Sequence, residues 1–268
     1  MFVDKKVSKK ELEKFINLQI KNKKVICVQC RYTMGEYNIN TAATVQKLKV
    51  SQIKLNLLDK VIHILKFIPN IQLIGLTGSL AMSNAKEEDD IDIFIITRSN
   101  RLWVTRLLML AVMQCLGLRR KRSMVKAKNK ICLNLFFDEQ NMSVPAIKKT
   151  IYGAHEVLQM KPLVNRNNSY ENFLASNLWV YDFFPNALKK SIIKYKSNTK
   201  SIIFFKNKGS RWGNLVEQMA KKFQLHFINK HQTTELVTDT QLWFFPYDYE
   251  QKVREGMKEV IEKRKGYK

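Results

Sequence analysis

Ile71-Gln-Leu-Ile-Gly-Leu-Thr-Gly-Ser-Leu-Ala-Met-Ser-Asn-Ala-Lys-Glu-Glu-Asp-Asp-Ile-Asp-Ile-Phe-Ile-Ile-Thr97 is the stretch in which the sequence speaks most directly. One apolar run ends in Gly78-Ser79, and a second carries Asp90 and Asp92. The second run alternates, so a strand there turns Asp90, Asp92 and Phe94 to one side and Ile91, Ile93 and Ile95 to the other. Two carboxylates two residues apart on one strand face lie about 7 Å from each other, a spacing from which both reach one or two divalent ions. Gly78 lets the backbone approach a ligand closely. Ser79 at a helix start offers N–H groups and a hydroxyl to an anion.

The surroundings sharpen this reading. Forty-seven Lys and Arg stand against 23 Asp and Glu, a formal charge of +24, and a field of that size concentrates polyanions. Nucleic acid, nucleotides or an anionic membrane surface are the candidate partners, although a Lys-rich, Asn-rich background also raises the charge without any partner. Five acidic residues gather at Glu87, Glu88, Asp89, Asp90 and Asp92, an island that calls for a cation in so basic a chain. The apolar Ile91, Ile93 and Phe94 exclude a calcium loop of the EF-hand type.

Upstream, Ser8 and Glu11 spell a capping box for a helix over 8–22. Val25 to Arg31 reads as a short strand, and Val45 to Phe67 as a helix closed by Pro69-Asn70. Downstream, Leu102 to Leu118 is apolar but too short to span a bilayer, and a buried helix is expected in place of a membrane anchor. A run rich in Lys and Arg, Arg119 to Lys130, leads into Ile131 to Asp138, which has strand composition. Thr150 to Met160 and Tyr170 to Phe184 read as packing helices, with His155 and Glu156 on the first. Ala187 to Ser210 reads as a linker with an apolar patch at Ile202 to Phe205. A helix bearing Trp212, Leu215, Val216, Met219, Phe223 and Phe227 follows, and a charged helix is expected after Trp243-Phe-Phe-Pro-Tyr247. Three regions result: residues 1–70 as a helical lead-in, 71–145 as the core, and 146–268 as a mainly helical C-terminal region.

Cys27, Cys30, Cys115 and Cys132 lie in apolar settings. With no secretory leader pattern, they point to buried thiols in a reducing cytoplasm. Cys27-Val-Gln-Cys30 has no second Cys or His pair to complete a zinc site. The four tryptophans sit in apolar patterns and read as core. Arg101 and Arg106, just after the Asp strand, are candidate phosphate contacts.

The Gly78-Ser79 pair, the eleven-residue step to Asp90 and the Asp90-Ile-Asp92 strand resemble the signature of the nucleotidyltransferase superfamily, the polymerase-β-like fold. The resemblance is firm over 71–97 and looser up to Asp138. It implies an α/β (α+β) fold, a small mixed sheet flanked by helices, with a helical C-terminal region. It also implies a Mg²⁺-dependent transfer of a nucleoside monophosphate from a nucleoside triphosphate such as ATP to an acceptor hydroxyl. In such a site Asp90 and Asp92 are the catalytic metal ligands, and Gly78 and Ser79, with Arg101, seat the nucleotide. Members of the superfamily usually add a third carboxylate on a neighbouring strand; here Asn134 holds the central place, with Asp138 four residues on as the other candidate ligand. Asn cannot act as a base. The alternative is therefore a catalytically degenerate domain that binds nucleic acid through its basic surface.

Overall fold

The computed structural model describes residues 6–28, 31–34, 41–121, 124, 126–187, 210–230, 235–244 and 255–256. The capping box forms as spelled: Ser8 Oγ accepts from Glu11 N–H at 3.2 Å, and the Glu11 carboxylate accepts from Ser8 N–H at 2.8 Å, starting α1 (Lys9–Lys21). The short run after it becomes an antiparallel pair, β1 (Val25–Val28) and β2 (Arg31–Met34). Helix α2 (Thr41–Leu65) starts four residues earlier than its apolar periodicity predicts. It buries Leu58, Val61, Ile62 and Leu65, then hands the chain to the first strand of the main sheet.

That sheet is mixed and six-stranded. Its strands are β3 (Ile71–Leu76), β4 (Ile91–Thr97), β5 (Ile131–Asp138), β6 (Lys161–Asn165), β7 (Leu236–Val237) and β8 (Gln241–Trp243), in the order β6-β3-β4-β5-β8-β7. Strands β4 and β5 run parallel, joined by α4 (Leu102–Cys115), and every other pairing is antiparallel. Between β3 and β4 lies only the four-residue helix α3 (Gly78–Ala81) and a loop. The alternation of β4 is observed: Ile91, Ile93 and Ile95 pack with α2 and α4. Phe94 and Ile96 pack on the other face with Ala154 and Val157 of α5 (Ile151–Gln159) and with Phe173. Asp92 shares that second face by parity, at the end where the apolar packing gives out.

The helix over Thr150 to Met160 ends at Gln159, before Pro162 as expected, and Pro162 itself lies inside β6, a strand on the sheet's edge. The single helix expected over Tyr170 to Phe184 is two, α6 (Ser169–Ser176) and α7 (Val180–Phe183). Asn177 breaks it. This fully buried side chain donates to the carbonyls of Met142 and Phe173, both at 2.8 Å, and accepts from Val144 N–H at 2.8 Å and Trp179 Nε1 at 3.1 Å. Helix α8 (Arg211–Asn229) then packs along α4, and the Glu217 carboxylate caps α4 by accepting from Trp103 and Val104 N–H at 2.7 and 3.0 Å. Trp212, expected in the core, is 78% exposed, whereas Trp103 and Trp243 are buried.

Among the described residues no helix is long and apolar enough to cross a membrane. Helix α4 buries Leu102, Trp103, Thr105, Met109 and Met113, as a core helix should. The thiols depart from expectation: Cys27 and Cys115 are exposed, and Cys132 is half-buried. Cys30, the apolar patch Ile202 to Phe205 and the charged C-terminal helix lie outside the described residues. Asn177→Ala strands two carbonyls and two N–H groups in the core. It is expected to lower the unfolding free energy by about 3 kcal/mol or more, read in urea melts.

Candidate functional site

Where β3 ends, Thr77 N–H donates to the backbone carbonyl of Asp92 at 3.0 Å, tying the turn to the start of β4. Gly78 follows at φ +66°, in the left-handed region that favours glycine. A Cβ there would lie 2.5 Å from Asp92 Oδ2, so no other residue fits this turn against that carboxylate. Gly78 and Asp92 are thus in direct contact. The Ser79 hydroxyl is already engaged, donating to Asp89 Oδ2 at 3.0 Å, an oxygen that also accepts from Lys86 N–H at 2.8 Å. With only four residues in α3, the helix dipole adds little to anion binding.

The loop that carries the acidic island is fastened from below by a lysine. Lys54 of α2 is 1% exposed, and its ammonium donates to the carbonyls of Glu87 (3.1 Å) and Asp89 (2.7 Å) and to Asn129 Oδ1 (3.3 Å). Burial pulls its pKa down, while Asp89 and Asp90 pull it back up. Most of the island is answered by the protein's own cations. Glu87 pairs with Lys128, Glu88 with Lys126 at 3.0 Å, and Asp90 with the Arg120 guanidinium at 2.7 Å.

Asp92 is different. Its Oδ1 accepts from Asn134 Nδ2 at 2.9 Å, and its carboxyl is pushed up to about 7, first by burial, then by the charges of Asp90 and Glu156. Asn134 in turn has its Oδ1 buried without a partner. Cys132, opposite Asp92 in the β4–β5 register, completes a cluster: a carboxylate oxygen of Asp90, one of Asp92 and the Cys132 sulfur all lie within 4.8 Å of one another. Burial beside two carboxylates pushes the Cys132 thiol far up, so it stays protonated, and its sulfur accepts from Arg120 at 3.4 Å.

Of the residues expected at the site, Gly78, Ser79, Asp90, Asp92 and Asn134 come together. Asp138 and Arg101 do not. Asp138 pairs with Thr97, five residues beyond Asp92 along β4, roughly 17 Å away at strand rise. Its two oxygens accept from Asn100 N–H (2.6 Å) and Gln140 N–H (2.8 Å), so it clasps the turns at the far end of the sheet. Arg101 begins α4 at that same far end and donates to Asn214 Oδ1 at 3.1 Å. His155 packs against Phe184, with ring centroids 6.2 Å apart and planes tilted by 57°.

Four contributors carried no signal that singled them out. Arg120 is one cation in a basic run, Lys54 is one lysine among many, and Cys132 carries no motif. Glu156, whose carboxyl burial raises to about 7, sits on a helix whose pattern reads as packing. The parity of β5 against β4 was the one available clue, since it puts Cys132 and Asn134 on the face of Asp92.

Residues 58–161 match the family model of the nucleotidyltransferase domain, a span from the second half of α2 to the start of β6. No match was found among curated proteins or among solved structures.

The raised carboxyl of Asp92 has a stability consequence. Its folded pKa lies above its ordinary value of 3.8, so the folded state holds that proton more tightly than the unfolded chain. The resulting stabilisation is present below about pH 4 and is lost as pH rises towards 7. In metal-free protein, Asp92→Asn should therefore gain stability relative to the native chain progressively between pH 4 and 7 and no further above, as read by thermal melts across pH.

Proposed function

We propose that this chain, which belongs to the nucleotidyltransferase superfamily through its residues 58–161, moves a nucleoside monophosphate from a nucleoside triphosphate to an acceptor hydroxyl, with Asp90 and Asp92 as its catalytic metal ligands. The observation that carries this reading is the close cluster of Asp90, Asp92 and Cys132 side chains, laid directly against the Gly78 turn.

The donor set suits a hard cation. Two carboxylates and the orphaned Asn134 Oδ1 are oxygen donors of the kind Mg²⁺ takes, whereas a protonated thiol such as Cys132 is not. When bound, Mg²⁺ neutralises charge on the phosphates and lowers the cost of ionising the attacking hydroxyl. The chain's own residues do the rest. The Gly78 turn, bare of a side chain, lets the Asp92 carboxylate lie against its backbone. Arg120, which pairs with Asp90, carries a guanidinium that would suit a phosphate. Lys54 fixes the loop that aims both carboxylates. The acceptor oxygen forms its bond to the α-phosphorus as the bond to the bridging oxygen breaks. Pyrophosphate leaves with the electron pair, and the hydroxyl proton goes to water.

One observation favours a second reading. Asn134 stands where a third carboxylate would act as base, and Arg120 already neutralises Asp90, features that suit a domain retaining the fold to bind nucleic acid. In that case polyanion affinity falls steeply with salt and is indifferent to Mg²⁺ and to the Asp pair.

Asp90→Asn and Asp92→Asn are each expected to abolish pyrophosphate release from labelled triphosphates incubated with Mg²⁺ and a cell extract, with unchanged circular dichroism. Turnover unaffected by both substitutions would remove the assignment. Mg²⁺ must displace a proton from Asp92, so Mg²⁺-dependent nucleotide affinity is expected to rise with pH up to about 7 and then level.

A further inference from the structure

Beyond β5, on the side away from Gly78, α4 and α8 flank a half-open cavity of about 610 Å³. The strand order β3-β4-β5 puts the Gly78 turn on one flank of the Asp pair and this cavity on the other. Cys132 and Asn134 line it, and these same residues hydrogen-bond Arg120 and Asp92, which links the cavity to the carboxylates across β5. Strand β8 pairs with Leu135 to Phe137, Phe244 N–H donates to the Asn134 carbonyl, and Leu118 and Arg120 bond Ile131, so among the described residues Cys132 and Leu133 are left facing the cavity.

The wall is apolar, built by Leu107 and Leu110 of α4 and Phe223 and Phe227 of α8. The cations are Arg106, Arg119, Arg120 and Lys121, against a single lining carboxylate, Glu235. Arg106 is the unusual one. Its guanidinium lies 4.6 Å from the Phe244 ring and donates through Nη1 to Gln224 Oε1 at 2.5 Å, while its Nε is buried without a hydrogen-bond partner. Among the described residues no carboxylate forms an ion pair with it, and withdrawal from water, with Arg119 nearby, pulls it down to about 10. Four cations against one carboxylate, set beside an apolar wall, make a seat for an anion.

We propose that this cavity is the acceptor site: it takes a small hydroxyl compound with an apolar or aromatic body and a carboxylate or phosphate group. The anion rests on Arg106 and Arg119, the body lies against Leu110 and the two phenylalanines, and the hydroxyl reaches past Asn134 to the Asp pair. The volume suits a single small molecule and is too small for a folded polymer. The assignment rests on the transfer reaction above, whose bond changes it leaves as written.

The test uses the full chain and the fluorescent probe 6-hydroxy-2-naphthoate, with 2-naphthol as the analogue lacking the anion. The carboxylate should bind about tenfold more tightly than the naphthol, and Arg106→Gln should erase that difference. Arg119→Gln, at an exposed position, provides the same comparison should the first variant unfold, with a several-fold loss expected. Leu110→Trp, which fills the cavity, should exclude both probes and leave binding of Mg²⁺ with a non-hydrolysable triphosphate unchanged. Equal binding of the two probes, or binding insensitive to all three substitutions, overturns the proposal while leaving the nucleotide site standing. Probe binding as predicted in a protein that binds no Mg²⁺-triphosphate removes the transfer reaction and, with it, the acceptor assignment.

Discussion

Everything at this site depends on how closely the Gly78 backbone approaches the Asp92 carboxylate. The turn after β3 has no space for a side chain, because the position a Cβ would take is 2.5 Å from the Asp92 carboxylate. One N–H bond, from Thr77 to the Asp92 carbonyl, holds the turn and strand in that contact. With it goes the left-handed turn, while burial and the charges of Asp90 and Glu156 raise the pKa of the Asp92 carboxyl. A site that withdraws a carboxylate and leaves bare backbone beside it has free energy to gain from a cation and an anion arriving together.

The second constraint is charge. A chain with a formal charge of +24 builds an acidic loop and then neutralises most of it internally, through Lys54 below, Lys126 and Lys128 at the rim, and Arg120 on Asp90. The island therefore calls for fewer external cations than its composition implies. What stays uncompensated is local: the Asp92 carboxyl and the orphaned oxygen of Asn134, side by side at the junction of β4 and β5.

The central stretch was legible because two strong patterns coincide in it. Alternation fixed which side of β4 Asp92 occupies, whereas Asp90, expected on the same strand, lies just before its first residue; the Gly-Ser turn fixed where β3 stops. The mixed sheet was legible from the family resemblance. Strand β6 was not, since Pro162 reads as a helix stop unless the edge position is known. The break at Asn177 was hidden because two of its four hydrogen bonds reach the distant Met142 and Val144. Arg101 and Asp138 lie close in sequence to the Asp strand and its neighbour. A strand carries its two ends far apart, however, and both residues belong to the wrong end. Arg120, Cys132 and Lys54 reach the site only through tertiary packing, for which a single sequence offers no period or spacing.

The most direct test of the account is where a paramagnetic divalent ion sits. With Mn²⁺ and a non-hydrolysable nucleoside triphosphate, the amide resonances of Thr77 to Leu80, Asp92 and Asn134 should broaden, while those of Asn100 and Gln140, beside Asp138, stay sharp. Broadening centred on Asn100 and Gln140, or none at the Gly78 turn, would contradict the assignment of the site to that end of the sheet.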